Sequence, residues 1–243
     1  MHRRLIIPLR ADGSLVLPLH ADVRHGIRVW PSEGNFVYGD CVVAAFEHLR
    51  MVKGTSNASS WKKLLYQIGF RPPHTPYSIE IYAKYLATLN QKPSPTIGVD
   101  PNTFFPWAEE NKLITAWGTV NVDKTFVDAN GLTMRDRLHQ AMIDYRGVMT
   151  SIELTTDAYQ NFENGKPWDV GPSPADQPNP NLGHETALVA YGPELDSVVT
   201  WGQMKSQTAA FTEDTTYQAF VFLDAQDISR PNYAQLLANI KNL

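Results

Sequence analysis

The chain has 243 residues, 43% of them hydrophobic and 19% charged, with 21 Lys and Arg against 25 Asp and Glu for a formal net charge of −4. That length buries a sizeable core in one compact unit, and the charge balance offers no cationic cluster to a phosphate backbone, so nucleic acid is not an expected partner. A single cysteine excludes an internal disulfide and leaves one thiol free for chemistry.

Residues 1 to 33 hold scattered apolar side chains between Pro8, Gly13, Pro18, Gly26 and Pro31, which predicts extended segments and turns. Leu5-Ile6-Ile7-Pro8-Leu9 is too short for a signal-peptide core, and no run approaches the roughly 20 apolar residues of a membrane span. The expected location is therefore cytoplasmic or virion-associated, with no membrane partner. From Cys41 to Val52 the chain is apolar almost all round and stops before Gly54, which predicts a buried central helix with Cys41 in its first turn. Amphipathic spacing predicts helices over Ser78–Leu89 and Thr133–Tyr145, the second opened by a Thr133/Asp136 capping box and closed at Gly147. Val148–Leu154 predicts a strand, as do His184–Tyr191, Ser197–Trp201 and Tyr217–Asp224, and Asn232–Leu243 a closing helix. The Pro-rich stretches Lys92–Pro101 and Gly171–Pro180 read as loops.

Helices early and strands late predict an α+β fold in a single domain over 1–243. Within it, a helical half runs over about 34–146 and an antiparallel sheet half over about 147–243, behind an N-terminal extension 1–33.

A helix N-terminus favours a thiolate because its unpaired N–H groups and aligned dipoles stabilise negative charge. Gly39-Asp40-Cys41 places the thiol there, and a tight glycine turn could admit a substrate carbonyl to the Cys41 N–H. Position alone is equally compatible with a buried structural thiol. A nucleophilic cysteine needs a histidine to take and return its proton. Of seven histidines, His184, after Gly183 at the mouth of an apolar strand, is the best placed. His2, His20, His25 and His74 lie in irregular segments, and His48 and His139 in helices. None has a metal-ligand spacing, so neither a metal nor a cofactor is expected.

These residues together resemble the papain-like cysteine peptidases, in which a cysteine opens the central helix and a histidine opens a strand far downstream. Gly183-His184, the run Leu188–Pro193 and Val198-Val199-Thr200-Trp201-Gly202 look like that family's histidine strand and its Trp-Gly turn. The pattern is also similar to bacterial and phage papain-like or bacteriocin-processing-type proteins. The resemblance implies Cys41 as nucleophile, His184 as base and Asn35, six residues before the cysteine, as an oxyanion donor where glutamine is usual. It further implies an Asn or Asp just before Trp201 to orient the histidine, and here the chain departs: Val199 and Thr200 stand there. Thr200, Asp196 and Gln203 remain as candidate orienters. Gly39, Asp40, Gly183, Trp168 and Trp201 are candidate walls of a cleft for a peptide or protein substrate. The expected activity is amide cleavage through an acyl-enzyme. The missing orienter leaves open a catalytically impaired binding module, and acyl or amide transfer at the same site is a third possibility.

Overall fold

The computed structural model describes residues 16–57, 65 and 78–240. The readings that fall on Leu5–Leu9, His2, His74 and residues 241–243 lie outside this set. Helix α1 (Cys41–Asn57) starts where the Ala44 N–H donates to the Asp40 carbonyl at 2.9 Å. Val43, Ala44, Phe46 and Val52 are all fully buried, as an apolar surface all round requires. The helix does not stop before Gly54. It continues three residues beyond because Lys53 is buried and bonded to the Tyr145 and Phe222 carbonyls and to Asp227, and Thr55 Oγ1 bonds the Met51 carbonyl. Those contacts outweigh the about 1 kcal/mol that a helical glycine costs.

Helices α2 (Ser78–Thr88) and α3 (Pro101–Glu110) follow, then strand β2 (Ala116–Thr119), α4 (Met134–Tyr145), β3 (Val148–Thr155) and the short α5 (Thr156–Gln160). The chain continues with β4 (Pro178–Tyr191), β5 (Leu195–Thr200), β6 (Gln203–Thr208), α6 (Ala209–Thr215), β7 (Thr216–Leu223) and α7 (Tyr233–Ile240). The expected capping box is present at α4, where Thr133 and Asp136 exchange side-chain and backbone bonds.

The result is a mixed helix and antiparallel-sheet fold. Among the described residues the strands form one seven-stranded sheet in the order β2-β7-β3-β4-β5-β6, with β1 (Ala21–Asp22) pairing with the end of β4. Two strands from before residue 147, β1 and β2, therefore belong to the sheet. Strand β4 is longer than the apolar pattern predicts and begins inside the Pro-rich stretch, with Pro178 opposite Thr155. Proline is tolerated there because the first residue of a strand need not donate to the ladder. An aromatic layer fixes α1 and α3 on β7: Phe46 lies 4.9 Å from Phe222 and Phe105 5.1 Å from Phe220, centroid to centroid. Such pairs add about 0.5–1.5 kcal/mol each beyond area burial. They set the N-terminal end of α1 against the middle of β4, which carries His184.

Candidate functional site

The approach to Cys41 is built by close packing. The Gly39 N–H donates to the Ser94 carbonyl at 3.1 Å, and a Cβ on Gly39 would lie 2.4 Å from the Ile97 carbonyl oxygen. Tyr82 clamps the same segment, its hydroxyl 2.5 Å from the Ile97 oxygen and 3.2 Å from that of Ser94. Glycine is required at 39 so that this chain's own 94–97 segment can approach. Asp40 then enters the core with no exposure, and the partly exposed Cys41 begins α1.

Strand β4 brings His184 and Glu185 to that helix end. The Cys41 sulfur lies beside the backbone N–H groups of Glu185 and Val42, whose dipoles favour its charged form. His184 is 6% exposed, and its Nε2 lies 2.5 Å from Thr200 Oγ1. Its ring stacks on the Trp201 indole at 4.3 Å with the planes 23° apart. The indole is held there by a two-residue hairpin between β5 and β6, with φ of 44° at Trp201 and 69° at Gly202. Both positive values suit a type I′ turn, and a bulky residue in that region marks strain held by its surroundings. Gly202 in turn lies against residue 32, where a Cβ would meet the Ser32 backbone at 3.0 Å. The hairpin tip and the segment leading to Asn35 thus support one another.

Electrostatics oppose a resting ion pair. Burial, then Glu185 and Asp40, push the Cys41 thiol up to about 12, against the favourable N–H groups of Glu185 and Val42. Burial pulls His184 down to about 3. The thiolate expected of a helix start is outweighed, and the pair rests as neutral thiol and neutral imidazole. Among the described residues no hydrogen bond joins the sulfur to the imidazole. Burial also raises Asp40 to about 7 and Glu185 to about 8, the latter helped by Asp100.

No family model matches the chain. None of the curated proteins matches it either. Among solved structures, it is similar to a cysteine protease of Carica candamarcensis in complex with E-64, at 13% identity and a TM-score of 0.40, over 86% of this chain and 99% of that one. A likeness of that degree carries no functional argument, so the reading rests on the geometry.

Of the candidate orienters, Thr200 is the one bonded to His184. Asp196 is fully buried elsewhere, held by Arg135 at 2.9 Å, His139 at 2.7 Å and Thr212 at 2.6 Å. Gln203 is exposed and paired with Thr200 across the hairpin. Asn35 lies in a turn closed by its own N–H on the Ser32 carbonyl, and is 9% exposed. Gly183 lies opposite Glu153 on β4, near the Tyr217 hydroxyl. Trp168 is 2% exposed and packs behind Trp201, with ring centroids 6.3 Å apart. It lines a separate cleft of about 580 Å³ together with residues of the Gly171–Pro180 segment. Glu185 and Tyr217 join the site without standing out as motif residues in the sequence. The signal for Glu185 was present, since a carboxylate interrupts an otherwise apolar strand directly after His184.

Neutral imidazole has one donor and one acceptor nitrogen. With Nε2–H donating to Thr200 Oγ1, Nδ1 keeps the lone pair a general base needs. A threonine hydroxyl can also donate, so Thr200 orients the ring without fixing the tautomer as an amide oxygen would. Thr200→Val should reduce turnover by about 5- to 150-fold, the equivalent of losing a buried hydrogen bond of about 1–3 kcal/mol. Steady-state kinetics on purified variant protein check this, and an unchanged kcat would remove Thr200 as orienter. No group of three or more His, Cys, Asp or Glu among the described residues is disposed to hold a metal ion. No helix among them is long and apolar enough to cross a membrane.

Proposed function

We propose that the chain is a papain-like thiol hydrolase that cleaves a peptide or other amide bond, with Cys41 as nucleophile and His184 as general base. The observation that carries this reading is the convergence at one helix end. A thiol in the first turn of α1 lies beside the backbone N–H of the residue after His184, and the His184 ring is bonded by Thr200 and covered by Trp201.

Because thiol and imidazole rest neutral, attack is general-base assisted. As the S–C bond forms at the carbonyl, the thiol proton passes to His184, and negative charge gathers on the carbonyl oxygen. The Cys41 N–H, at the first turn where no intrahelical acceptor exists, and the Asn35 amide are the assigned donors to that oxyanion. The C–N bond then breaks as the imidazolium protonates the leaving amine. In the second half His184 takes a proton from water as its oxygen attacks the thioester, and the C–S bond breaks to return the thiol.

The test is cleavage of a denatured protein mixture followed by mass-spectrometric identification of new N-termini, with Cys41→Ala as control. New termini that survive in Cys41→Ala would remove this mechanism. An amine nucleophile added in place of water separates hydrolysis from amide transfer, because transfer puts the amine on the acyl product.

A second reading, a binding module with impaired catalysis, is favoured by the two carboxylates beside the thiol and by the absence of an Asn or Asp orienter. Iodoacetamide labelling followed across pH bears on it, since only thiolate reacts. With the thiol at about 12, the thiolate fraction at pH 7 is about 10⁻⁵. Labelling should therefore rise about tenfold per pH unit up to pH 10 without a plateau. A plateau below pH 8.5, lost in His184→Ala, would instead show a preformed ion pair and favour fast catalysis.

A further inference from the structure

Three buried carboxylates of this fold meet a cation directly: Asp196 with Arg135, Asp227 with Lys53, Glu47 with Arg50. Beside the candidate nucleophile two others do not. Glu185 is 4% exposed with Oε2 unpartnered, and Asp40 is fully buried with neither oxygen partnered, among the described residues. Leaving a buried carboxylate unpaired is costly, and these two meet the cost by holding a proton near neutral pH, a proton that an incoming cation can displace.

The surroundings of Glu185 specify that partner. Ser151 stands directly across from it on β3, buried, with its hydroxyl close enough to the Glu185 carboxylate to favour the charged form. Tyr217 closes the same side, its hydroxyl 3.7 Å from where a Cβ on Gly183 would lie, and Asp100 contributes further negative charge. An unpartnered carboxylate oxygen, a hydroxyl oxygen with lone pairs to spare and a negative field fit a group that only donates, such as an ammonium or guanidinium. Successive side chains of a strand point to opposite faces, so Glu185 faces away from the side of His184, which receives the leaving amine. The cation therefore belongs to the acyl half of the substrate.

The geometry points to Glu185 as the specificity residue for a lysine or arginine within two residues of the scissile carbonyl, its charged end seated between Glu185 Oε2 and Ser151 Oγ. This inference rests on reading the cleft as a peptidase site.

The test uses the full chain and a set of hexapeptide amides that differ only in lysine or norleucine at each successive position. Binding is measured to the Cys41→Ala protein and cleavage by the unsubstituted protein. Lysine at a favoured position should tighten binding about tenfold or more over norleucine, and adding Glu185→Gln should bring that ratio to about 2 or below. A ratio near one before any change at Glu185 overturns the inference without needing that variant to fold. So does a lysine preference that survives Glu185→Gln. Cleavage with no lysine preference leaves the peptidase reading and removes this one, whereas lysine-selective binding lost in Glu185→Gln but without cleavage keeps the cation site at Glu185 and removes the peptidase reading together with the assignment to a scissile carbonyl.

Discussion

Replacing His184 with alanine is expected to slow amide cleavage about 100- to 10,000-fold, the range that a positioned general base contributes, while Cys41→Ala abolishes it. The argument begins from the resting charges. With the thiol at about 12 and the imidazole at about 3, the proton has no reason to move before substrate binds. A nucleophile that is not already ionised depends on its base in the attacking step itself, so the loss of His184 falls on kcat. It also falls on kcat/KM to a similar degree, because the interaction is made in the transition state. Burst kinetics with an activated ester separate the halves: His184→Ala should lose both acylation and deacylation. A variant that acylates at the original rate would show that the thiol is activated by something other than His184. The fold should survive, since His184 is fixed by a hydroxyl and an indole and leaves no paired charge behind.

The same residues show what could be read beforehand. The helix at Cys41, the capping box at Thr133 and the strand after Gly183 are written in local periodicity and cap chemistry, which survive folding because burial follows the same pattern. Thr200 was one of three candidates for the histidine's partner, and neither spacing nor residue type separates it from Asp196. What does is a long-range fact: Arg135, His139 and Thr212 converge on Asp196 from α4 and α6 and occupy its lone pairs. Strands β2 and β6 and helices α3 and α6 carry no clear signature in local periodicity. Gln203–Thr208 is polar and takes its place in the sheet by pairing with β5, while α3 opens at Pro101 and contains Pro106, which breaks the usual pattern. The electrostatics of the thiol were the least legible. A helix terminus argues for thiolate, and only the packing of Asp40 and Glu185 around the sulfur shows that the opposing effects win.

Asp227→Ala is expected to destabilise the protein by about 3–5 kcal/mol, as removal of one partner from a buried ion pair does. Lys53 projects from the middle of α1 into the far side of the molecule, 1% exposed, where its ammonium meets Asp227 at 2.9 Å and the Tyr145 and Phe222 carbonyls. Burial pulls the Lys53 pKa down and the two aspartates nearby pull it back, while Asp227 is held below the ordinary carboxylate range by Lys53 despite its own burial. A carboxyl with a depressed folded pKa lends stability above its unfolded value and loses it as the pH falls through the folded one. The contribution of Asp227 is thus present at pH 7 and is lost in acid. Without Asp227 the Lys53 charge remains buried with two carbonyls and Asp224, whose own carboxyl is raised by burial. Urea denaturation at pH 7 measures the loss, and the pair Lys53→Met with Asp227→Asn should recover part of it, because it removes the stranded ammonium, while Arg230, 3.2 Å from Asp227, still loses its carboxylate. If the double substitution were as damaging as Asp227→Ala alone, hydrogen bonding at these positions rather than charge pairing would be what holds α1 to β7. That anchor matters at the other end of the same helix: Cys41 keeps its place against Glu185 and His184 only while α1 keeps its register along the sheet.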